Sequence, residues 1–292
     1  MPRVKANGIE IEYESMGAET APPMLLIMGL GAQLITWDEG FCEELVKRGF
    51  RVVRFDNRDS GLSAKMESAG PADLLGAFGG NPTPAYTLDM LADDAVGLLV
   101  ALQIPAAHIV GASMGGFIAQ LVAINHPARV LSLTSIMSGP GGGQAVPPTP
   151  EATHFLITAP GPTREERIEL ALDAREVFVG EGNPFDREAE RKLIARAYDR
   201  TYYPAGYGRQ LVAILAAPSR IPGLAGVKVP TLVVHGLDDP LVPVENGRLV
   251  AAAIPGARLL ELEGMGHNIP KRYWPLVADA IADTARQAAL TP

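Results

Sequence analysis

The nine residues Ile109–Phe117, I-V-G-A-S-M-G-G-F, constrain this chain more than any other stretch. Ile109 and Val110 end a short apolar run. Gly111-Ala112-Ser113-Met114-Gly115 follows as G-x-S-x-G, and Phe117 to Ala123 offers a helical apolar face. Strand, sharp turn and helix are the context in which such a serine is presented as a nucleophile. The turn strains Ser113, and side chains two before and two after it would collide there, which is why both positions need glycine. A chain with 31 glycines produces this pattern by chance often enough that the motif decides nothing without partners. A buried strand-to-helix turn also demands small residues on packing grounds alone.

Length and composition limit the setting. The 292 residues suffice for one large α/β domain, or one domain with an insertion. With 47% hydrophobic and 20% charged residues, a sizeable buried core is expected and disorder is not. The net charge is −8 and no dense Lys/Arg cluster occurs, so neither a nucleic acid nor an anionic membrane is an expected partner. No apolar run approaches the roughly 18 residues of a membrane-spanning helix. Met1-Pro2-Arg3-Val4-Lys5 is followed by no signal-peptide core, so a cytoplasmic protein is expected. Cys42 is the only cysteine, which leaves no internal disulfide, and its helical surroundings read as core packing.

Along the chain, residues 3–15 alternate about Asn7-Gly8 and predict an edge antiparallel hairpin. Met24–Met28 is a continuous apolar run suited to a parallel strand buried on both faces, and it ends in Gly29-Leu30-Gly31. Helical spacing over Trp37–Arg48 stops at Gly49, and Arg51–Phe55 is the next strand. That strand ends in Asp56-Asn57-Arg58-Asp59-Ser60-Gly61. Asp56 and Arg58 could do chemistry by residue type, but the segment reads more simply as a charge-satisfied turn. Residues 62–86 read as Gly/Pro-rich loop, and a helix begins at Thr87. The elbow helix is followed by a strand at Val130–Met137. Residues 139–162 lack periodicity. Thr163–Val179, Asp186–Tyr198 and Gly208–Ala217 are amphipathic helical stretches with no strand among them. Helices inserted into a βα series read as a cap or lid. Alternation then resumes with a strand at Val229–His235, a helix at Val244–Ile254, a strand at Ala257–Leu262 and a helix at Tyr273–Ala289. The expected architecture is α/β: a mostly parallel, eight-stranded, doubly wound sheet with one helical insertion. Residues 1–138 and 222–292 would form the core, and 139–221 the cap.

A serine hydroxyl is a weak nucleophile at neutral pH and needs a base that is itself oriented by a carboxylate. In open α/β sheets both partners belong in loops just after strands. Of the five histidines, His108 lies at the wrong end of the elbow strand, His126 at a helix C-terminus and His154 in the insertion. His235 ends a strand but precedes the candidate acids. His267, in Glu263-Gly264-Met265-Gly266-His267-Asn268 directly after the last strand, fits the base. In His235-Gly236-Leu237-Asp238-Asp239-Pro240 either aspartate can point inward. Pro240 holds Asp239 extended, whereas Asp238 can cap the turn. The strand at 130–137 is followed by no carboxylate until Glu151, so the chain order becomes Ser113, Asp239, His267. The oxyanion of a tetrahedral intermediate needs two donors. The N–H of Met114 and that of Leu30, flanked by Gly29 and Gly31, are the candidates.

The segments MGLG (28–31), FDNRDSG (55–61), GASMGG (111–116), HGLDDPLVP (235–243) and GMGH (264–267) make the chain resemble the α/β-hydrolase superfamily over residues 3–286. Within it, the likeness is to serine esterases that remove a methyl ester from polyketides. That resemblance implies a carboxylic-ester hydrolase with a helical cap, no metal and no cofactor. Ser113, Asp239 and His267 map to the triad, and Leu30 and Met114 to the oxyanion hole. The partner is then a small-molecule ester, and self-association is left open. Many relatives carry His-Gly where this chain has Met28-Gly29, which predicts a differently anchored first oxyanion loop. A serine nucleophile argues against the dehalogenase and epoxide-hydrolase chemistries, whose enzymes use aspartate there. The same triad also serves perhydrolases, lactonases and carbon–carbon bond hydrolases, and an idle binding module would keep the fold without turnover. Aromatic side chains in 139–221, among them Phe155, Phe178 and Tyr207, fit an apolar or aromatic substrate, and cap packing accounts for them equally well.

Overall fold

Asn7 and Gly8 both take positive φ, 46° and 81°, and turn β1 (Arg3–Ala6) back onto β2 (Ile9–Met16) as their sequence demands. The computed structural model describes residues 2–180 and 182–288. After the hairpin come β3 (Pro23–Ile27), α1 (Glu39–Lys47), β4 (Arg51–Phe55), α2 (Leu74–Phe78), α3 (Leu88–Ala101), β5 (Ala107–Ala112), α4 (Met114–Asn125) and β6 (Val130–Ile136). Five helices follow: α5 (Pro150–Ile157), α6 (Arg164–Phe178), α7 (Arg187–Arg200), α8 (Pro204–Ala216) and α9 (Ile221–Leu224). The chain then returns to the sheet with β7 (Thr231–Gly236), α10 (Val244–Ala253), β8 (Arg258–Leu262) and α11 (Trp274–Ala288). The last residue of the helix expected at Tyr273–Ala289 lies outside the described residues.

The eight strands form one sheet in the order β1-β2-β4-β3-β5-β6-β7-β8. β1 with β2 and β2 with β4 pair antiparallel, and every later pairing is parallel. The strands are apolar throughout because both faces are covered. Leu25, Ile27, Val53 and Ile109 enter a core shared with α3, α4 and α10. Met24, Leu26, Val52 and Val110 enter the opposite core with α1 and α11. From β3 the chain moves to β4 on one side and then to β5 on the other, so strand order reverses at β3. The loops after β3 and β5 therefore part there, which is where α/β sheets open a crevice.

Short helices depart from the sequence reading, α9 among them. Residues 62–86 contain α2, whose N-cap Asp73 accepts from the Gly76 N–H. The stretch 139–162 contains α5, where Thr149 accepts from the Ala152 N–H and Pro150 opens the helix. Both are too short for an apolar period to stand out. α5 nevertheless carried a readable start signal, a threonine cap followed by proline. Among the described residues no helix is long and apolar enough to cross a membrane.

Gly115 tests how tightly the elbow is built. A Cβ there would lie 2.0 Å from the Ile27 carbonyl oxygen, a contact that only backbone movement relieves, whereas one on Gly143 would meet nothing within 4 Å. Gly115→Ala is expected to destabilise the protein by about 3 kcal/mol in urea unfolding, and Gly143→Ala by less than about 0.5 kcal/mol.

Candidate active site

Ser113 occupies the single residue between β5 and α4 with φ 57° and ψ −124°, a region that side-chain-bearing residues avoid. Its N–H remains in the sheet, donating to the Ile136 carbonyl, while its own carbonyl accepts from the Gly116 N–H and the Ser138 hydroxyl. Both turn glycines are required sterically. A Cβ on Gly111 would lie 2.0 Å from the Gly115 carbonyl oxygen, matching the contact of Gly115 with Ile27. Gly29 faces the serine directly: a Cβ there would stand 3.0 Å from Ser113 Cβ and 3.3 Å from its Oγ. The missing side chain at 29 keeps the space before the hydroxyl open.

Asp239 and His267 are brought together by the loops after β7 and β8. Leu237 N–H donates to the Leu262 carbonyl and Asp238 N–H to the Met265 carbonyl. The approach is close enough that a Cβ on Gly236 would meet the Met265 oxygen at 1.9 Å. Asp239 is buried and Asp238 exposed. One Asp239 oxygen accepts the N–H groups of Leu241 and Val242 at 2.9 and 2.8 Å, and the other lies 2.8 Å from His267 Nδ1. With Nδ1 engaged, Nε2 is the ring nitrogen left for other work. No hydrogen bond joins Ser113 Oγ to His267 among the described residues, a spacing common before a substrate draws the groups together. The Phe178 ring stands edge-on to the imidazole, with centroids 6.5 Å apart. The Val179 and Phe178 carbonyls accept the N–H groups of Gly266 and His267.

The N–H groups of Leu30 and Met114 donate to no protein acceptor among the described residues. Met114 opens α4, so its N–H is one of the donors a helix leaves unpaired, at the positive end of the helix dipole. The Asp56–Gly61 turn is structural, as its residue types allow. Asp56 accepts from Leu34 and Leu62 N–H and pairs with Arg200, Arg58 is bidentate to Asp94, and Asp59 is bidentate to Arg209. Burial works to raise the Asp59 pKa, but the Arg209, Met66 and Tyr86 hydrogen bonds prevail and hold it below the usual carboxylate range. Sequence reasoning missed Gln210 of α8, which is fully buried and accepts the Gly31 N–H at 2.8 Å. An isolated glutamine on an amphipathic helix carries no signal of a partner 179 residues away.

A family model described as the alpha/beta hydrolase fold matches residues 22–271. The chain belongs to the α/β-hydrolase fold family. It is 31% identical over 306 residues to a rhodomycin D methylesterase from Streptomyces sp. (strain C5), covering 98% of each chain. It is 29% identical to a 2-hydroxymuconate semialdehyde hydrolase from Pseudomonas sp. (strain CF600), covering 95% of this chain and 92% of that one. The crystal structure of an enol-lactonase from Burkholderia xenovorans LB400 superposes with a TM-score of 0.73 at 28% identity, over 99% of this chain and all of that one.

The remaining histidines have other settings. His126 pairs with Asp93 at the surface. His235 is fully buried and donates from Nε2 to the Val242 carbonyl, and burial pushes its pKa below the usual histidine value. His108 bonds Ser132 through Nδ1, and burial pushes its pKa down from 6.5 to about 4. Below about pH 6.5 the unfolded chain binds a proton at this residue that the folded chain refuses until about pH 4, so His108 makes stability fall across that window as pH drops. Unfolding curves should therefore show His108→Asn losing about 3 kcal/mol less than the parent between pH 6.5 and 4.

Proposed function

We propose that the chain hydrolyses carboxylic esters, methyl esters of apolar or aromatic acids among them, through an acyl-enzyme formed on Ser113. The observation that carries this reading is the backbone of Ser113. A serine held at φ 57° between two glycines that cannot carry a Cβ is a cost that packing alone does not require. Family membership and full-length likeness to a methylesterase support an ester-cleaving hydrolase.

In the proposed cycle, Ser113 Oγ attacks the ester carbonyl and His267 Nε2 takes its proton. Asp239, anchored by two backbone N–H groups, keeps Nδ1–H pointed at itself and stabilises the imidazolium. The oxyanion is received by the N–H groups of Leu30 and Met114, each worth about 3 kcal/mol to the transition state. His267 then protonates the leaving alkoxide, and water repeats the sequence on the acyl-enzyme. The helices between β6 and β7 would act as the cap over this site, with Phe178 against the histidine and Tyr207 against the loop after β3.

A second reading, carbon–carbon bond hydrolysis on the same three residues, is favoured by the likeness to the Pseudomonas hydrolase. A panel of p-nitrophenyl esters of rising acyl length, methyl esters of bulky aromatic acids and a vinylogous diketone substrate separates the two. Ester turnover with an acyl burst is expected, and turnover of the diketone alone would reverse the assignment. Ser113→Ala should lower kcat on the order of a million-fold while the protein still folds, and near-parental activity would remove Ser113 from the chemistry.

A further inference from the structure

Gln210 is buried without any exposed surface, and all of its amide is used. Oε1 accepts the Gly31 N–H at 2.8 Å, and Nε2 donates to the Arg58 carbonyl at 2.8 Å and to Ser60 Oγ at 3.0 Å. The orientation is fixed by chemistry. Gly31 N–H can only donate and the Arg58 carbonyl can only accept, so exchanging the amide's ends would oppose like groups at both. One side chain of α8 thus joins the loop after β3 to the loop after β4.

The loop after β3 is a four-residue turn in which the Ala32 N–H donates to the Gly29 carbonyl at 3.2 Å. Gly31, at its third position, has φ 65°, the sign that a type II turn requires. Type I and type II turns differ by a flip of the central peptide, here Leu30–Gly31. An acceptor fixed on the Gly31 N–H holds that peptide in one of the two states. The Tyr207 ring, one turn earlier on α8, packs on the Gly31 α-carbon so closely that a Cβ there would lie 2.6 Å from Cδ2. Both peptide planes flanking the Leu30 nitrogen and Cα are therefore held, one by Ala32 and the other by Gln210. The Leu30 N–H itself stays free of any protein acceptor among the described residues.

We infer that Gln210 is a positioning residue: by anchoring Gly31 to α8 it holds in place the turn whose Gly29–Leu30 peptide, tied by the Ala32 bond, presents the Leu30 N–H to the oxyanion. This rests on Leu30 serving as an oxyanion donor, as proposed above. A preorganised donor stabilises charge that develops in the transition state and does little for bound substrate. Loss of Gln210 should therefore lower kcat and spare KM. A residue that only fastened α8 to the core would lower the melting temperature and leave kcat of the folded fraction unchanged.

The test is a cycle of three variants assayed on one turned-over ester, with an alkylboronic acid as transition-state analogue. Gln210→Met keeps the volume and removes the acceptor; it should lower kcat about 30-fold, leave KM within about twofold, and weaken boronate binding by the same factor as kcat. Leu30→Pro suits the second position of the turn and deletes the donor outright, so kcat should fall about 100-fold or more, with Gln210→Met adding little on top. If Leu30→Pro leaves kcat unchanged, the oxyanion assignment is wrong. If Leu30→Pro is impaired and Gln210→Met is not, the positioning role is wrong while the assignment stands. Should Gln210→Met not fold, hydrogen exchange at the Gly31 amide of the unaltered protein decides. Strong protection is expected, and exchange at the rate of an exposed loop overturns the proposal.

Discussion

Three stretches of backbone close on Ser113 so tightly that none of them can carry a side chain at the point of approach. The carbonyl of Ile27 lies where a Cβ of residue 115 would be, the Gly115 carbonyl where a Cβ of residue 111 would be, and Gly29 faces the hydroxyl. Everything else in the molecule holds that closure. β5 sits between β3 and β6 and is buried along its whole length, so the strained residue hangs from an interior strand of the sheet. α4 starts immediately after it and leaves an unpaired N–H beside the hydroxyl. Backbone strain of this kind costs on the order of 1–3 kcal/mol and persists only where surrounding contacts over-determine it.

The helices between β6 and β7 make polar contacts with the loops around this closure. The end of α6 supplies carbonyls to the backbone of Gly266 and His267, and α8 supplies Gln210 to Gly31. At the same time Arg209 and Arg200 are paired with Asp59 and Asp56 of the turn after β4. Breaking a buried pair of this kind typically costs about 3–5 kcal/mol, because one charge is left without a partner. The interstrand helices are thus bound to the loops after β3, β4 and β8 through polar groups of fixed geometry. On the reading proposed here, their arrangement bears on how fast the site works as well as on what it admits.

Much of this was legible in the residues. Asn7-Gly8, the apolar run at 24–28, and the glycines around Ser113 act locally, so their structure follows from neighbours in sequence. Asp239 and His267 could be placed in adjacent loops because parallel strands deliver their C-terminal ends to one edge. Pro240 pointed to Asp239 rather than Asp238 as the inward aspartate, and Asp239 is the buried one of the two. The loop after β3 is anchored by a glutamine 179 residues beyond Gly31, which no pattern near Met28-Gly29 encodes. Contacts made by one buried amide to two loops leave no periodicity, which is why Gln210 emerged only from the structure. The helices α2 and α5 were hidden for a plainer reason: five and eight residues among glycines and prolines are too few to show a face.

The convergence of distant loops on one hydroxyl is tested most directly by a crystal structure of the protein after reaction with a methyl alkylphosphonofluoridate. The phosphorus should be bonded to Ser113 Oγ, the phosphoryl oxygen should lie within about 3 Å of the Leu30 and Met114 nitrogens, and His267 Nε2 should face the serine oxygen. A phosphonate attached elsewhere, or one on Ser113 whose phosphoryl oxygen points into solvent away from both nitrogens, would contradict the account.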